Sequence, residues 1–300
     1  MKNKTLCLGL IMFTLLLFVA FIGPYLPFID QELTPVKHRW TADEHLMLPP
    51  YPPSELNWLG SDSKGVDNLS KLVLGTKETV FVIFAIAIIR YLIAVPLGLL
   101  SYKKKGIFHI ITSSLNQIFS YLPTIFSAVL LINLPFLLLT PYRIYGVILI
   151  LAFLEVGRVS YIVQEQTNAV SRQPFMEAGT VLGLSKLRLI KSYYLPAIGP
   201  ELIVNFCMDL GKAALLIGQL GILGIFLSHE WVEVNAMTMK FMNTSLNWVS
   251  LLSEHRADIY VSKFGFIFYP AFAIMYVILT FNVMGEGIRR HFQNKMNLQK

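Results

Sequence analysis

Six long runs of apolar residues alternate with polar, often proline-rich segments along this chain of 300 residues. Each run is about 17 residues or longer, the length that an α-helix needs to cross the hydrocarbon core of a bilayer. The pattern predicts an all-α membrane protein with six transmembrane helices, of which the third is expected to be broken by Pro123 and Pro135. The predicted spans cover residues 6–22, 79–100, 110–139, 144–163, 197–226 and 264–288.

The first run follows Lys2 and Lys4, so a secretory signal peptide is the competing interpretation. The run ends in Gly23-Pro24 and lacks the small-x-small pattern at which signal peptides are cleaved. We therefore predict that residues 1–23 form an N-terminal transmembrane helix.

The segments between the spans divide the rest of the chain. Residues 24–77 are acidic and rich in proline, which predicts an external loop, and the helical spacing of apolar residues in 66–74 predicts a surface helix near its end. Residues 78–292 then hold the other five spans, with a second external segment at 227–263. Residues 293–300 are expected to form a cytoplasmic tail.

The distribution of charge assigns a side to each segment. Only 14% of the residues are charged, the net charge is +7 and the mean hydropathy is +0.59. Lysines and arginines flank the apolar runs instead of forming one basic domain, which argues against a nucleic-acid partner and for a lipid bilayer. By the positive-inside rule, the triple lysine at 103–105 and the basic segment 164–196 are predicted to be cytoplasmic loops, and both termini are predicted to be cytoplasmic.

The sequence shows no motif for catalysis or nucleotide binding. It contains no H-E-x-x-H and no G-x-S-x-G, so an intramembrane enzyme is not predicted. The pair Gly211-Lys212 is followed by Ala213 and lacks the upstream glycine of a phosphate-binding loop. Cys7 and Cys207 lie inside apolar runs and are expected to be free. We therefore expect this chain to bind no metal and no cofactor.

A polar, basic stretch at 175–196 interrupts the apolar pattern between the fourth and fifth spans. Gly183 can end a first short helix in a left-handed conformation, and Ser185 can cap a second helix that runs until Pro196. These local features leave two interpretations open. The stretch is either an amphipathic loop under the headgroups or a docking element, in which small residues admit another surface and Glu177 offers it a charge.

Four ionisable residues, Arg90, Glu155, Asp209 and Lys212, fall inside predicted spans, where a charge is costly unless it is paired or hydrated. Asp209 and Lys212 are three residues apart, so they can form an ion pair on one helix face. Two interpretations stay open for the four: structural pairing, within the chain or with a partner subunit, and contact with a substrate along a translocation pathway. Asn205 is expected to form a hydrogen bond between helices.

Residues 227–246 contain His229, Met237, Met239 and Met242, whose side chains suit soft metals. Their spacing fits no compact site, and the large residues around them have a spacing that favours a partly buried interfacial helix. Metal contact is kept as the alternative.

The basic stretch resembles the EAA loop of bacterial ABC importer permeases, a motif that reads E-A-A, three residues, G, nine residues, I-x-L-P. Glycine replaces the third motif residue, and Tyr193 replaces the isoleucine. The matching residues are Glu177, Ala178, Gly179, Gly183, Leu195 and Pro196.

Two further blocks resemble the dipeptide, oligopeptide and nickel permeases of that class. Residues 58–67, WLGSDSKGVD, resemble the signature H-P-L-G-T-D-x-x-G-R-D, with Val66 in place of the arginine. Residues 281–289, FNVMGEGIR, look like the family ending F-N-x-x-G-D-x-L-R. The three blocks occur in family order.

The resemblance implies a type I ABC importer permease (MetI-like) fold in a bacterial inner membrane. It implies that the EAA-type loop docks on an ATP-binding subunit, and that two such subunits, a second permease subunit and an external substrate-binding protein complete the complex. ATP is then used by the partner subunits. Di- or oligopeptides are the expected cargo, nickel or a metal chelate is the alternative, and a stand-alone secondary transporter is a further alternative.

Overall fold

The computed structural model of the chain describes residues 3–40, 45–138, 140, 142–181, 183–235, 238–256 and 265–297. Its helices, in chain order, are α1 Lys4–Phe21, α2 Asn68–Leu100, α3 Ile107–Ser120, α4 Thr124–Ile132, α5 Pro135–Leu138, α6 Arg143–Leu154, α7 Val156–Ser171, α8 Pro174–Val181, α9 Lys186–Leu189, α10 Leu195–Ile222, α11 Trp248–His255 and α12 Gly265–Asn297. A 3-10 turn covers Gly23–Tyr25 and a π-helical turn covers Ile190–Tyr194. Two antiparallel hairpins pair β1 Arg39–Trp40 with β2 Leu46–Met47, and β3 His229–Asn235 with β4 Thr238–Asn243.

Four of the described helices are long and apolar enough to cross a membrane, and the bent pair of α3 and α4 makes a fifth if it is one span. The four spans are Lys4–Phe21, Asn68–Leu100, Arg143–Ser171, which takes α6 and α7 together, and Gly265–Lys295. α3 and α4 meet at 95°, and the break falls at Pro123 as predicted. α10 has 28 residues, carries three charged side chains and is not counted among these spans. The prediction of a helical, multi-pass membrane protein is confirmed, whereas the count of six remains a prediction.

The chain divides into two compact units. The first comprises Met1–Leu10, Phe84–Ala213 and Leu279–Lys300, and the second comprises Ile11–Ile83 and Ala214–Ile278. The start of α1 and the last turns of α12 both belong to the first unit.

In the first unit, the side chain of Asn3 donates a hydrogen bond to the carbonyl of Gly287 (2.6 Å), and Arg290 donates one to Thr5 Oγ1 (3.3 Å). The start of α1 therefore packs beside the last turns of α12, which extends into the segment predicted as a tail.

The second unit includes the loop predicted to be external, which folds around Asp62. The Oδ1 atom of Asp62 accepts the backbone N–H of Val66 (2.9 Å), and the carboxylate forms an ion pair with Lys71 on α2. Burial raises the pKa of Asp62, but hydrogen bonding and attraction to the Lys71 ammonium outweigh it, so the pKa lies below its usual value. Gly65 has φ +82°, and a Cβ there would lie 2.0 Å from the carbonyl oxygen of Val36, so the turn requires glycine.

The surface helix predicted at 66–74 is not a separate element. α2 begins at Asn68 and continues to Leu100 without a break. Asp67 caps its start, since Oδ2 accepts the backbone N–H of Ser70 at 2.7 Å, and no proline interrupts the first turns. The apolar positions of 66–74 are therefore the first turns of the second span.

The prediction of an interfacial helix within 227–246 is wrong. The structure has the hairpin β3–β4 there, and Trp231 lies opposite Phe241 in its register. Spacings of three and four residues between large side chains suggested one helical face, but two of these residues are cross-strand neighbours. The periodicity of a short segment could not separate the two structures.

The hairpin also bears on the alternative of a metal site. Met242 is paired with Glu230, the residue after His229, so His229 and Met242 lie on opposite faces of the hairpin. Met237 lies outside the described residues. Among the residues that the structure describes, no group of three His, Cys, Asp or Glu side chains could hold a metal ion.

Candidate functional site

Three helices of the first unit are joined by ion pairs to one buried carboxylate, that of Asp209. Arg90 of α2 donates from Nη1 to Asp209 Oδ2 of α10 at 2.8 Å, and Arg158 of α7 donates from Nη2 to Asp209 Oδ1 at 2.6 Å. Arg90 and Asp209 are only 1% and 2% exposed. Arg158 also forms an ion pair with Glu155, whose Oε1 accepts a hydrogen bond from Thr124 (2.7 Å). We call Arg90, Glu155, Arg158 and Asp209 the ion-pair network.

The break between α6 and α7 explains why Arg90 fits at this place. The last four carbonyls of an α-helix lack intrahelical partners, and a cation is favourable near that end. Arg90 donates from Nη2 to the carbonyl of Leu151 (2.9 Å) and from Nε to the carbonyl of Ala152 (3.3 Å), both in the last turn of α6. One buried guanidinium thus holds the end of α6 and the carboxylate of α10.

The network corrects one prediction made from spacing. Asp209 does not form its ion pair with Lys212, because its two oxygens accept from Arg90 and Arg158. Of the four predicted residues, Arg90, Glu155 and Asp209 lie together in the network. Lys212 instead lines a neighbouring cavity. Arg158 was missed as a candidate because it lies near the predicted end of the fourth span. Its position three residues after Glu155 is the signal that could have identified it.

The EAA-type loop forms a helix, a tight turn and a second helical segment. α8 holds Glu177, Ala178 and Gly179, and Gly183 follows with φ +69°. The backbone N–H of Leu184 donates to the carbonyl of Gly179 at 3.3 Å, which is the six-to-one bond of a Schellman C-cap. The predicted role of Gly183 as a helix end is therefore confirmed.

The second segment begins as predicted but does not stop at Pro196. Ser185 Oγ accepts the backbone N–H of Arg188 (3.4 Å) and so caps α9. The π-helical turn Ile190–Tyr194 then leads directly into α10, which begins at Leu195. Proline has no N–H with which to continue the helical ladder, and the hydrogen-bond pattern changes just before it, since the backbone N–H of Leu195 donates to the carbonyl of Ile190 across the π-helical turn. The loop is thus continuous with the fifth predicted span.

A small apolar core holds this loop against the helices of the first unit. Met176, Leu189 and Tyr194 of the loop are buried together with Leu99 of α2, Val163 of α7 and Ile198 of α10. The ring of Tyr194 lies 5.1 Å from the ring of Tyr102, and burial raises the pKa of the Tyr194 hydroxyl. The loop therefore contacts the same three helices that the ion-pair network joins.

The two departures from the EAA motif are neighbours in this core. A Cβ on Gly179 would lie 3.1 Å from Leu189 Cδ2 and 3.7 Å from Tyr193 Cζ. Tyr193 also stacks on Phe175, with ring centroids 6.5 Å apart. Gly179 is buried by residues of its own chain, so glycine at the third motif position makes room for large side chains of the second segment.

Other apolar side chains of the loop are left in contact with solvent. Val181 is 87% exposed, Leu187 is 76% exposed and Phe175 is 47% exposed. Exposed apolar side chains on a polar segment between spans are typical of a surface that another protein covers. Long apolar helices and such a loop together define the class as a multi-pass membrane protein that carries a candidate docking surface.

The chain belongs to a known family. The family described as "Binding-protein-dependent transport system inner membrane component" matches residues 94–298, which is more than half of the chain. This range includes the EAA-type loop and three of the four residues of the ion-pair network.

Curated relatives agree with this family assignment. The chain is 26% identical over 300 residues to the dipeptide transport system permease protein DppC of Haemophilus influenzae, covering 98% of this chain and 92% of the relative. It is 24% identical over 295 residues to a DppC protein of Alkalihalophilus pseudofirmus, covering 98% and 87%. The glutathione transport system permease protein GsiD of Pectobacterium atrosepticum is 22% identical over 244 residues, covering 81% and 74%.

Proposed function

We propose that this chain is a permease subunit of an ATP-driven importer in a bacterial inner membrane. It forms half of the translocation pathway, with a second permease subunit as the other half, and receives its solute from an external substrate-binding protein. Two ATP-binding subunits supply the energy, so the chain itself binds no cofactor. Six spans, with both termini and the EAA-type loop in the cytoplasm, complete the proposed topology.

The observation that carries this proposal is the construction of the EAA-type loop. Met176, Leu189 and Tyr194 anchor the loop in the chain, whereas Val181 and Leu187 point apolar surface away from it. An anchored loop with an exposed apolar surface is suited to receiving force from a partner.

The same construction suggests how coupling works. Closure of the ATP-binding subunits would move α8, and the buried core would pass this displacement to α2, α7 and α10. The ion-pair network joins these three helices, so they would shift as one body between inward and outward openings. ATP then shifts the population between the inward-open and outward-open states, because the ATP-binding subunits bind it with different affinity in the two states.

Di- or oligopeptides are the proposed solutes. The names of the relatives refer to dipeptides and glutathione, which supports a peptide-like cargo for this chain. Import of nickel or a metal chelate by the same architecture is the alternative. A stand-alone secondary transporter is a weaker candidate because it would have no use for a docking loop.

Two leucines of nearly equal exposure provide the test. Leu187 of the loop is 76% exposed and Leu56 of the predicted external loop is 77% exposed. In membranes that contain all subunits, Leu187→Asp is expected to abolish co-purification of the ATP-binding subunits and solute uptake, as is Glu177→Arg. Leu56→Asp is expected to keep the ATP-binding subunits bound. If Leu187→Asp and Glu177→Arg both left association and uptake unchanged, the docking role would be wrong.

A further inference from the structure

A cavity of about 90 Å³ lies beside the ion-pair network in the first unit. A buried water needs roughly 10–15 Å³, so this cavity can hold several waters or one small polar group. Its wall is formed by α2, α7 and α10. The polar residues that line it are Tyr91, Arg158, Asn205, Asp209 and Lys212.

Three of these polar groups have no hydrogen-bond or ion-pair partner in the described part of the chain. Within the described part of the chain, the ammonium of Lys212, the amide of Asn205 and the hydroxyl of Tyr91 make no hydrogen bond and no ion pair. All three can donate a hydrogen bond, and the Lys212 ammonium can only donate. The cavity thus offers donors to a group that the chain itself does not supply.

The charged groups around the cavity carry one positive charge more than negative. Both oxygens of Asp209 accept from arginines, and the oxygens of Glu155 accept from Arg158 and Thr124. The two carboxylates balance Arg90 and Arg158, so the charge of Lys212 has no counterpart among the described residues. Lys212 is exposed in the isolated chain but lies near the middle of the 28-residue α10, a predicted span, where an unbalanced charge is costly unless an anion or water reaches it.

We propose that this cavity is a binding site for a carboxylate of the transported solute, such as the C-terminal carboxylate of a peptide. Lys212 supplies the balancing charge, and Asn205 and Tyr91 supply hydrogen bonds. The site is large enough for a carboxylate and its nearest atoms but not for a whole peptide, so the rest of the solute occupies the pathway outside it. This assignment rests on the proposed function, because it takes the cavity to be part of the translocation pathway.

Uptake measurements test the site in the intact complex. Proteoliposomes with all subunits and the external binding protein are given alanyl-alanine or alanyl-alanine amide, which lacks the carboxylate. The affinity of the binding protein for each compound is measured separately, so that the ratio of the two uptake rates can be corrected for the selectivity of the binding protein. Losing one charge-assisted hydrogen bond typically weakens binding about ten- to a hundredfold.

Lys212→Met is therefore expected to lower uptake of the dipeptide at limiting concentration about tenfold or more and to leave uptake of the amide unchanged. Lys212→Arg is expected to restore part of the preference for the dipeptide. Lys105→Met is the control, because this exposed lysine lies outside the cavity and should change neither uptake. Equal loss for both compounds, an unchanged preference in Lys212→Met, or failure of that variant to assemble would each overturn the proposal.

A second measurement does not depend on transport. Acetylation of lysines in the wild-type complex, mapped by mass spectrometry, is compared in sodium acetate and in sodium chloride of equal ionic strength. Acetate is expected to protect Lys212 severalfold and to leave Lys105 unprotected, and alanyl-alanine should protect better than its amide. Equal modification of Lys212 under all conditions would refute the site. If the complex lacks ATP-binding subunits or imports neither compound, the proposed function fails, while protection by acetate still decides the carboxylate site.

Discussion

Replacing Asp209 with alanine is expected to be the most destabilising single change in the ion-pair network. Within the described part of the chain, this carboxylate is the one ion-pair partner of Arg90 and one of the two partners of Arg158. Its removal leaves Arg90, which is 1% exposed, without a counter-charge between three helices. Removing one partner of a buried ion pair costs about 3–5 kcal/mol, mainly because the other charge stays buried.

An exposed ion pair of the same unit gives the matched control. Lys104 and Glu165 lie 2.7 Å apart, and both side chains are 39% exposed. Such a surface pair contributes about 0–1 kcal/mol, since water already solvates both charges. Glu165→Ala is therefore expected to have an effect several times smaller than that of Asp209→Ala.

Thermal unfolding of the detergent-purified protein measures the difference. At roughly 2–4 °C per kcal/mol for a chain of this size class, Asp209→Ala should lower Tm by about ten degrees and Glu165→Ala by a few degrees at most. Adding Arg90→Met to Asp209→Ala should recover part of the loss, because the isolated buried cation is then removed. Assembly with the second permease subunit is scored on the same samples.

Two results would refute this reasoning. The first is a Tm for Asp209→Ala close to that of Glu165→Ala, which would mean that the buried pair does not hold the helices together. The second is strict additivity of Arg90→Met and Asp209→Ala, which would mean that the two side chains do not interact energetically. Loss of uptake in Asp209→Asn with an unchanged Tm would instead assign Asp209 to the pathway.

Two further predictions concern the loops. The pKa of Asp62 is lower in the folded protein than its usual value of 3.8, so the ion pair with Lys71 contributes its full stability above pH 3.8 and loses it as the pH falls through the folded pKa. The difference in Tm between wild type and Asp62→Asn should therefore shrink below pH 3.8. A difference in Tm that persists there would contradict this prediction. Gly179→Ala should make the EAA-type loop less stable than Gly199→Ala makes α10, since both changes favour the helix but only the methyl group at 179 would lie within 3.1 Å of Leu189 Cδ2. Gly199→Ala, where nothing lies within 4 Å of the added atom, should leave stability unchanged or raise it by about 0.5–1 kcal/mol, and equal effects of the two changes in thermal unfolding would contradict the crowding at Gly179.

Several features could be predicted from short stretches of sequence. The apolar runs identified the long helices, and Pro123 identified the bend between α3 and α4. Gly183 and Ser185 identified the end of one loop helix and the start of the next. Each of these signals depends on a few consecutive residues, because span length, capping and proline chemistry act over one or two helical turns.

The hairpin β3–β4 could not be predicted in this way. Its pairing of Trp231 with Phe241 depends on contacts between strands, and the spacing of these residues fits a helix face as well. Tertiary pairing decided the secondary structure there.

The sequence by itself therefore determined which segments are apolar helices, where the basic EAA-type loop lies, and that charges occur inside the predicted spans. Only the tertiary structure decided how those charges are used. Asp209 pairs with Arg90 and Arg158, which are 119 and 51 positions away in the chain, instead of with Lys212 one turn further on. The physical reason is that helix packing sets which side chains meet, and the buried carboxylate is best satisfied by two guanidinium groups, so the lysine remains available to a ligand.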